Sequence, residues 1–213
     1  MAIKPILFNT EMVQAILDGR KTCTRRVVKT RRKDACGFYV TKRPDSSFTG
    51  VYEYDEDERM FENRLIPPYK PRDILYVRET FIQAAAHTFW YKADDNSWMP
   101  EGLHWKPSIH MPKEAARIWL KVTDVRVERL QDITPKDAEN EGVGNLFYED
   151  IGYGKKNYGT EVDPEYGIVK EQFAWLWEST IKKSDIDRYG WDANPWVWVI
   201  EFEWCEPQEV QNV

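Results

Sequence analysis

The segment Trp196–Trp204 (WVWVIEFEW) constrains this chain most. Trp196, Trp198, Ile200, Phe202 and Trp204 alternate with Val197, Val199, Glu201 and Glu203. Side chains that change sides at every residue belong to an extended strand. Five large apolar groups on one side need a covering layer, so the chain must build a sheet with one strongly buried face. Two further runs alternate. Residues 117–130 (RIWLKVTDVRVERL) put Ile118, Leu120 and Val122 on one side, then Val125 and Val127 after a phase change at Thr123-Asp124. A one-residue slip in an alternating strand predicts a bulge or bend, the device that curls small barrels. Residues 72–81 (RDILYVRETF) set Ile74, Tyr76 and Arg78 against Leu75, Val77 and Glu79.

Helical signals lie between these strands. Met12, Val13, Ile16 and Leu17 share one helical face, Asn9 or Thr10 can cap the free N–H groups, and Gly19 terminates, which predicts a helix over 10–18. Thr134-Pro135-Lys136-Asp137 begins a second helix with an N-cap, a proline in the first turn and a capping-box-like Asp137; Gly142 ends it. A third covers 169–181, with Phe173, Leu176 and Trp177 inward. Strands and helices without a βαβ rhythm give an α+β class with a small curled sheet. Three stretches read as insertions or long loops, 29–71, 82–105 and 143–163, the last holding Gly144, Gly152, Gly154 and Gly159. No Gly/Ser linker divides the 213 residues, so one domain is expected.

With 42% apolar and 14% aromatic residues the chain can bury a core, which excludes wholesale disorder. No apolar run approaches the roughly 20 residues of a membrane span. The start, Met1-Ala2-Ile3-Lys4-Pro5, lacks the apolar stretch of a signal peptide. Cys23, Cys36 and Cys205 are scattered and odd in number, so no disulfide framework is expected and a reducing cytoplasm fits. His87, His104 and His110 make no metal-ligand pattern with them, and neither metal nor cofactor is expected.

Charge is concentrated. Residues 20–43 carry ten basic side chains against Asp34 alone, within a chain of net charge −6. One basic segment on an otherwise acidic protein predicts a localised anion site rather than a surface that coats nucleic acid everywhere.

The ungapped run Ile16-Leu17-Asp18-Gly19-Arg20-Lys21-Thr22-Cys23-Thr24-Arg25-Arg26 resembles the opening signature of ASCH domains, a branch of the PUA-like superfamily. Residues 72–80 resemble the family's Gly-Asp-x-Leu strand, with Arg72 where glycine is usual. The strand over 118–127, the helix entry over 130–142 and the closing strand over 197–202 complete the likeness, which covers about half the chain. The block Trp105-Lys106-Pro107-Ser108-Ile109-His110-Met111-Pro112 is similar to a feature of longer bacteriophage and prophage members. The resemblance implies a small PUA-like β-barrel flanked by helices around a central cavity, and a modified nucleoside or nucleic acid as partner. Some compact members remove the acetyl group from N4-acetylcytidine. Their catalytic Lys, Thr and Glu fall on Lys21, Thr24 and Glu141 of this chain.

Amide hydrolysis needs a nucleophile, a base and a proton donor for the leaving amine. Thr24 offers a hydroxyl, Lys21 a base when neutral, and Glu141 an acid. Like charges at Arg20, Arg25 and Arg26 and burial in a cavity disfavour the ammonium of Lys21, whereas an ionised Glu141 nearby favours it. In a regular strand Lys21 and Thr24 point to opposite faces, so 19–24 must be irregular for both to serve one site. Arg20, Arg25 and Arg26 are the expected substrate or nucleic-acid contacts. One of Arg78 and Glu79 should point into the barrel, and Lys106 or Ser108 should touch a base or phosphate. Two functions follow: an amidohydrolase acting on N4-acylated cytidine or a related modified nucleoside, or a non-catalytic module that binds RNA or modified nucleic acid. A nuclease lacks a metal cluster.

Overall fold

The computed structural model describes residues 1–44, 48–100, 102–143 and 164–205. Its main sheet has five strands: β1 (Ile3–Leu7), β2 (Cys23–Val27), β6 (Ile74–Arg78), β9 (Trp119–Arg129) and β10 (Trp196–Trp204). Their order is β1-β6-β9-β10-β2, with β1 and β6 parallel and every other pair antiparallel. The strand expected from the tryptophan alternation sits inside this sheet, between β9 and β2. Both of its faces are buried, not one: Trp198, Ile200 and Phe202 join a core with Ile6, Phe8 and Leu120, while Val197 and Val199 join a second core with Leu130, Phe173 and Trp177. The second face is covered because helix α3 (Pro164–Thr180) packs there.

The expected bulge is present. Glu201 pairs with Asp124 and Phe202 with Val122, which leaves Thr123 as the extra residue. The curl does not become a closed barrel among the described residues, because β1 and β2 are the two edges of the sheet. Where a barrel would have a ladder between these edges, the Arg26 side chain reaches across and donates to the Leu7 carbonyl at 3.1 Å.

Helix α1 (Thr10–Leu17) links β1 to β2; Asn9 accepts from Met12 N–H as its cap. Helix α2 (Pro135–Asn140) starts at Thr134, whose hydroxyl accepts from Asp137 N–H. A short α4 (Ile186–Tyr189) follows α3. No described helix is long and apolar enough to cross a membrane.

The expected insertion at 29–71 holds a second sheet. Strands β3 (Gly37–Lys42), β4 (Phe48–Tyr54) and β5 (Met60–Leu65) form an antiparallel meander. Val51 and Leu65 pack into the main core. The inward position Glu53, 3% exposed, accepts the N–H groups of Arg31 and Arg32 at 2.6 and 3.3 Å. The stretch 82–105 begins in a hairpin of β7 (Phe81–Ala85) and β8 (Thr88–Tyr91), so the single strand expected over 72–81 is two strands. Most of the expected loop at 143–163, with its four glycines, lies outside the described residues.

Candidate active site

Between α1 and β2 the chain is irregular. Gly19 takes φ +73°, and the N–H groups of Arg20 and Lys21 both donate to the Ala15 carbonyl at 2.9 Å. Thr22 N–H donates to the Asn140 carbonyl at 2.8 Å, and Lys21 forms an isolated bridge with Glu141. This piece is therefore clamped between the ends of α1 and α2. Gly142 permits the close approach: its φ is +93°, and a Cβ there would stand 2.8 Å from Ala15 Cβ and 3.2 Å from Lys21 Cβ. As a result the Lys21 side chain is fully enclosed. Its Nζ donates to Glu141 Oε2 at 2.6 Å and to the Glu141 carbonyl at 2.9 Å. The same ammonium lies 5.5 Å from the centre of the Phe8 ring.

Glu141 also accepts from Arg25, Nη1 to Oε1 at 3.2 Å, and Arg25 Nη2 donates to Glu128 Oε1 at 2.5 Å. Arg126 continues the series, contacting Glu128 at 3.4 Å, Asp137 at 3.7 Å and Glu201. Charges thus alternate from buried Lys21 outward to the half-exposed Arg126. Burial alone would lower the pKa of Arg25, but Glu141 and Glu128 outweigh it and raise the value, so Arg25 is a fixed cation. Arg25 Nε is buried and bonds to nothing among the described residues. Burial, and then Glu141, push the Cys23 thiol up to about 12, so Cys23 stays protonated and is no nucleophile at neutral pH.

Thr24 and Arg26 occupy the opposite face of β2. Thr24 is 1% exposed, and its Oγ1 accepts from Arg26 Nη1 at 2.9 Å. Arg26 also lies 5.5 Å from the Phe8 ring centre, on the same ring as Lys21.

A cavity of about 760 Å³ runs beside β2. Thr24, Arg25, Arg26 and Glu141 line it, with Tyr69 and Trp177 among its aromatic walls. It follows the free edge of the sheet. Val28 N–H donates to Trp196 and Phe202 N–H to Thr22, so the even-numbered residues of β2 bond to β10. The backbone groups of Arg25 and Val27 therefore turn the other way. The structure joins Lys21 to Glu141 and sets Thr24 and Glu141 on one cavity, while Lys21 lies behind Glu141 and does not line it.

The remaining candidates lie elsewhere. Arg20 is on the surface, bonded to Asp18 and to the Gly142 carbonyl, each at 2.8 Å. Arg78 donates to the Met111 carbonyl at 2.8 Å and to the Ile109 carbonyl. Glu79, 1% exposed, makes a forked pair with Arg117 at 2.9 and 3.0 Å. Burial pushes the Glu79 carboxyl up, and Arg117 pulls it back. Lys106 is exposed and pairs through its backbone with Phe81; Ser108 opens a single 3₁₀ turn. None of these five lines the cavity. Sequence reading missed Arg117, Glu128 and Arg126. The last two stand opposite Val125 and Val127 in an alternating run, where a polar face reads as solvated unless the covering helix is known. Trp90 and Trp98 pack edge to face at 5.1 Å as a pair within their own loop, with Trp98 exposed. The chain matches no family model, no curated protein and no solved structure.

Proposed function

We propose that this chain is an ASCH-type, PUA-like amidohydrolase that removes the acyl group from N4-acylated cytidine or a related modified nucleoside. The observation that carries the reading is the 2.6 Å contact between Lys21 and Glu141 behind a cavity that Thr24 and Glu141 line. At that distance one proton can pass from the ammonium to the carboxylate, which leaves a neutral amine and a carboxylic acid. Thr24 Oγ1 adds to the acyl carbonyl and its proton goes to the Lys21–Glu141 pair, which meets the cavity through Glu141. Glu141 gives its proton to N4 as the C–N bond breaks, and cytidine leaves. The acyl group remains as an ester on Thr24, which water hydrolyses to the free acid. Arg26, 2.9 Å from Thr24 Oγ1, stabilises negative charge developing at that centre. Arg25 holds Glu141 by its second oxygen.

A second reading, a non-catalytic module for RNA or modified nucleic acid, is favoured by one contact: Thr24 Oγ1 is bonded to Arg26. Chromatography separates the two. Purified protein mixed with N4-acetylcytidine is expected to release cytidine and acetate in equal amounts, and Lys21→Ala to release none. Binding of nucleoside without release by the wild type would favour the second reading.

A further inference from the structure

The proposed nucleoside site accounts for one end of the cavity. Beyond Thr24 and Glu141 the lining continues along the chain through Lys29, Thr30 and Arg31. The Lys29 and Arg31 side chains are exposed, and no carboxylate lies within ion-pair distance of either among the described residues. From the other side α4 supplies a third cation: Arg188 Nη2 donates to Thr30 Oγ1 at 3.0 Å, again without a carboxylate partner among the described residues. Other surface arginines nearby are neutralised, Arg20 by Asp18 and Arg32 by Asp34. Cations without an ion-pair partner are therefore gathered around Thr30; Glu53 accepts the backbone N–H of Arg31 and not its side chain, and Glu141, the only acid among the described residues that line the cavity, belongs to the Lys21–Arg25 cluster. Thr30, whose oxygen accepts from Arg188, keeps its own O–H to donate.

We infer that the ligand of this cavity is a 5′-phosphorylated nucleoside, with the base at the Thr24–Glu141 end and the phosphate held by Lys29, Arg31, Arg188 and the Thr30 hydroxyl at the mouth. This rests on the nucleoside reading of the preceding section and deepens it. Charge sign selects the ligand: three cations repel a cationic group and gain nothing from an uncharged ribose, whereas a phosphate accepts several charge-assisted hydrogen bonds at once. Spacing agrees. Lys29 stands five positions after Thr24, at most about 18 Å of extended chain; a lysine side chain reaching back shortens that toward the span of one nucleotide. The phosphate has two sources, a free mononucleotide or a residue of a strand.

Titration calorimetry with cytidine, cytidine 5′-monophosphate and a short 5′-phosphorylated oligocytidylate tests this. The monophosphate is expected to bind at least about tenfold more tightly than cytidine at low salt. That advantage shrinks as salt rises. In Lys29→Ala/Arg31→Ala, and separately in Arg188→Ala, the monophosphate-to-cytidine ratio falls toward one. The oligonucleotide binding more tightly than the mononucleotide identifies a strand as the source; the reverse identifies the free nucleotide; either upholds the phosphate site. Equal affinity for cytidine and its monophosphate in the wild type overturns the phosphate site and leaves the nucleoside reading standing. Binding of none of the three overturns both.

Discussion

Lys21 is costly to leave beside nothing, and Glu141 equally so. Each is almost entirely removed from water; Glu141 also contacts Arg25, and Glu128, the second partner of Arg25, completes the balance of charge. Lys21→Met strands a carboxylate against one cation and is expected to lower stability by about 3–5 kcal/mol. Lys21→Met/Glu141→Gln removes both charges and should recover part of that loss in urea denaturation; a double variant as unstable as the sum of its singles would show that the pair is not coupled. Arg72 offers the opposite case. Lys70-Pro71-Arg72-Asp73 closes a turn in which Asp73 N–H donates to the Lys70 carbonyl, and Arg72 holds φ +74°. Proline at the second position and positive φ at the third fit a type II turn, where glycine is preferred. The turn before β6 therefore forms with arginine in a backbone position that glycine occupies without strain. Arg72→Gly should raise stability by roughly 0.5–1 kcal/mol, the relief of a left-handed residue less the added chain entropy of glycine. A drop in stability would contradict this.

Asp73 fastens β1 to β6. Its carboxylate accepts from Ala2 N–H at 3.0 Å, Lys4 Nζ at 2.7 Å and Lys70 N–H at 3.1 Å. Burial alone would raise its pKa, but these donors, Lys4 foremost, outweigh burial and hold the carboxyl below its usual 3.8. A carboxyl whose pKa falls on folding lends stability above its unfolded value, and that stability is lost as pH falls through the folded one. Asp73→Asn should therefore cost about 2 kcal/mol at pH 7. The gap from wild type should narrow below about pH 4, where the unfolded carboxyl takes its proton. Denaturation midpoints measured from pH 7 to pH 3 check both; a gap that stays constant would rule out the charged acceptor. The elements legible in the sequence are those whose apolar period is clean: the alternation of β10, the slip at Thr123-Asp124, the caps at Asn9 and Thr134. The meander β3-β4-β5 was not, since Tyr52 and Tyr54 alternate with Val51 and an inward Glu53 in a charged stretch that reads as loop.

Across the whole molecule one layer binds the parts together. Val51 and Leu65 of the meander share a core with Ile6, Leu120 and Phe202 of the main sheet. Val51→Ala should therefore lower the stability of a single unfolding transition by about 1–2.5 kcal/mol and move tryptophan fluorescence and far-ultraviolet circular dichroism together. Separate transitions would mean that the meander folds independently. The candidate site divides in the same way. Lys21, Thr24 and Glu141 were legible only through the resemblance of residues 16–26 and 130–142 to a known motif; the backbone between α1 and β2 is irregular, as a shared site requires, but it buries Lys21 against Glu141 and leaves it off the cavity. Arg78 and Glu79 lie off the cavity because contacts remote in sequence, with Met111 and Arg117, fix them elsewhere; Lys106 is held by its backbone pairing with Phe81, and Ser108 follows in a 3₁₀ turn, also off the cavity. The most direct measurement is a double-mutant cycle in kcat/KM for N4-acetylcytidine, using Lys21→Ala, Thr24→Val and their combination, with exposed Lys106→Ala as reference. If the two residues act as one unit, each single loses at least about a thousandfold and the double loses little more than the worse single. A wild-type rate no faster than buffer, or singles that retain turnover like Lys106→Ala, would contradict the hydrolase.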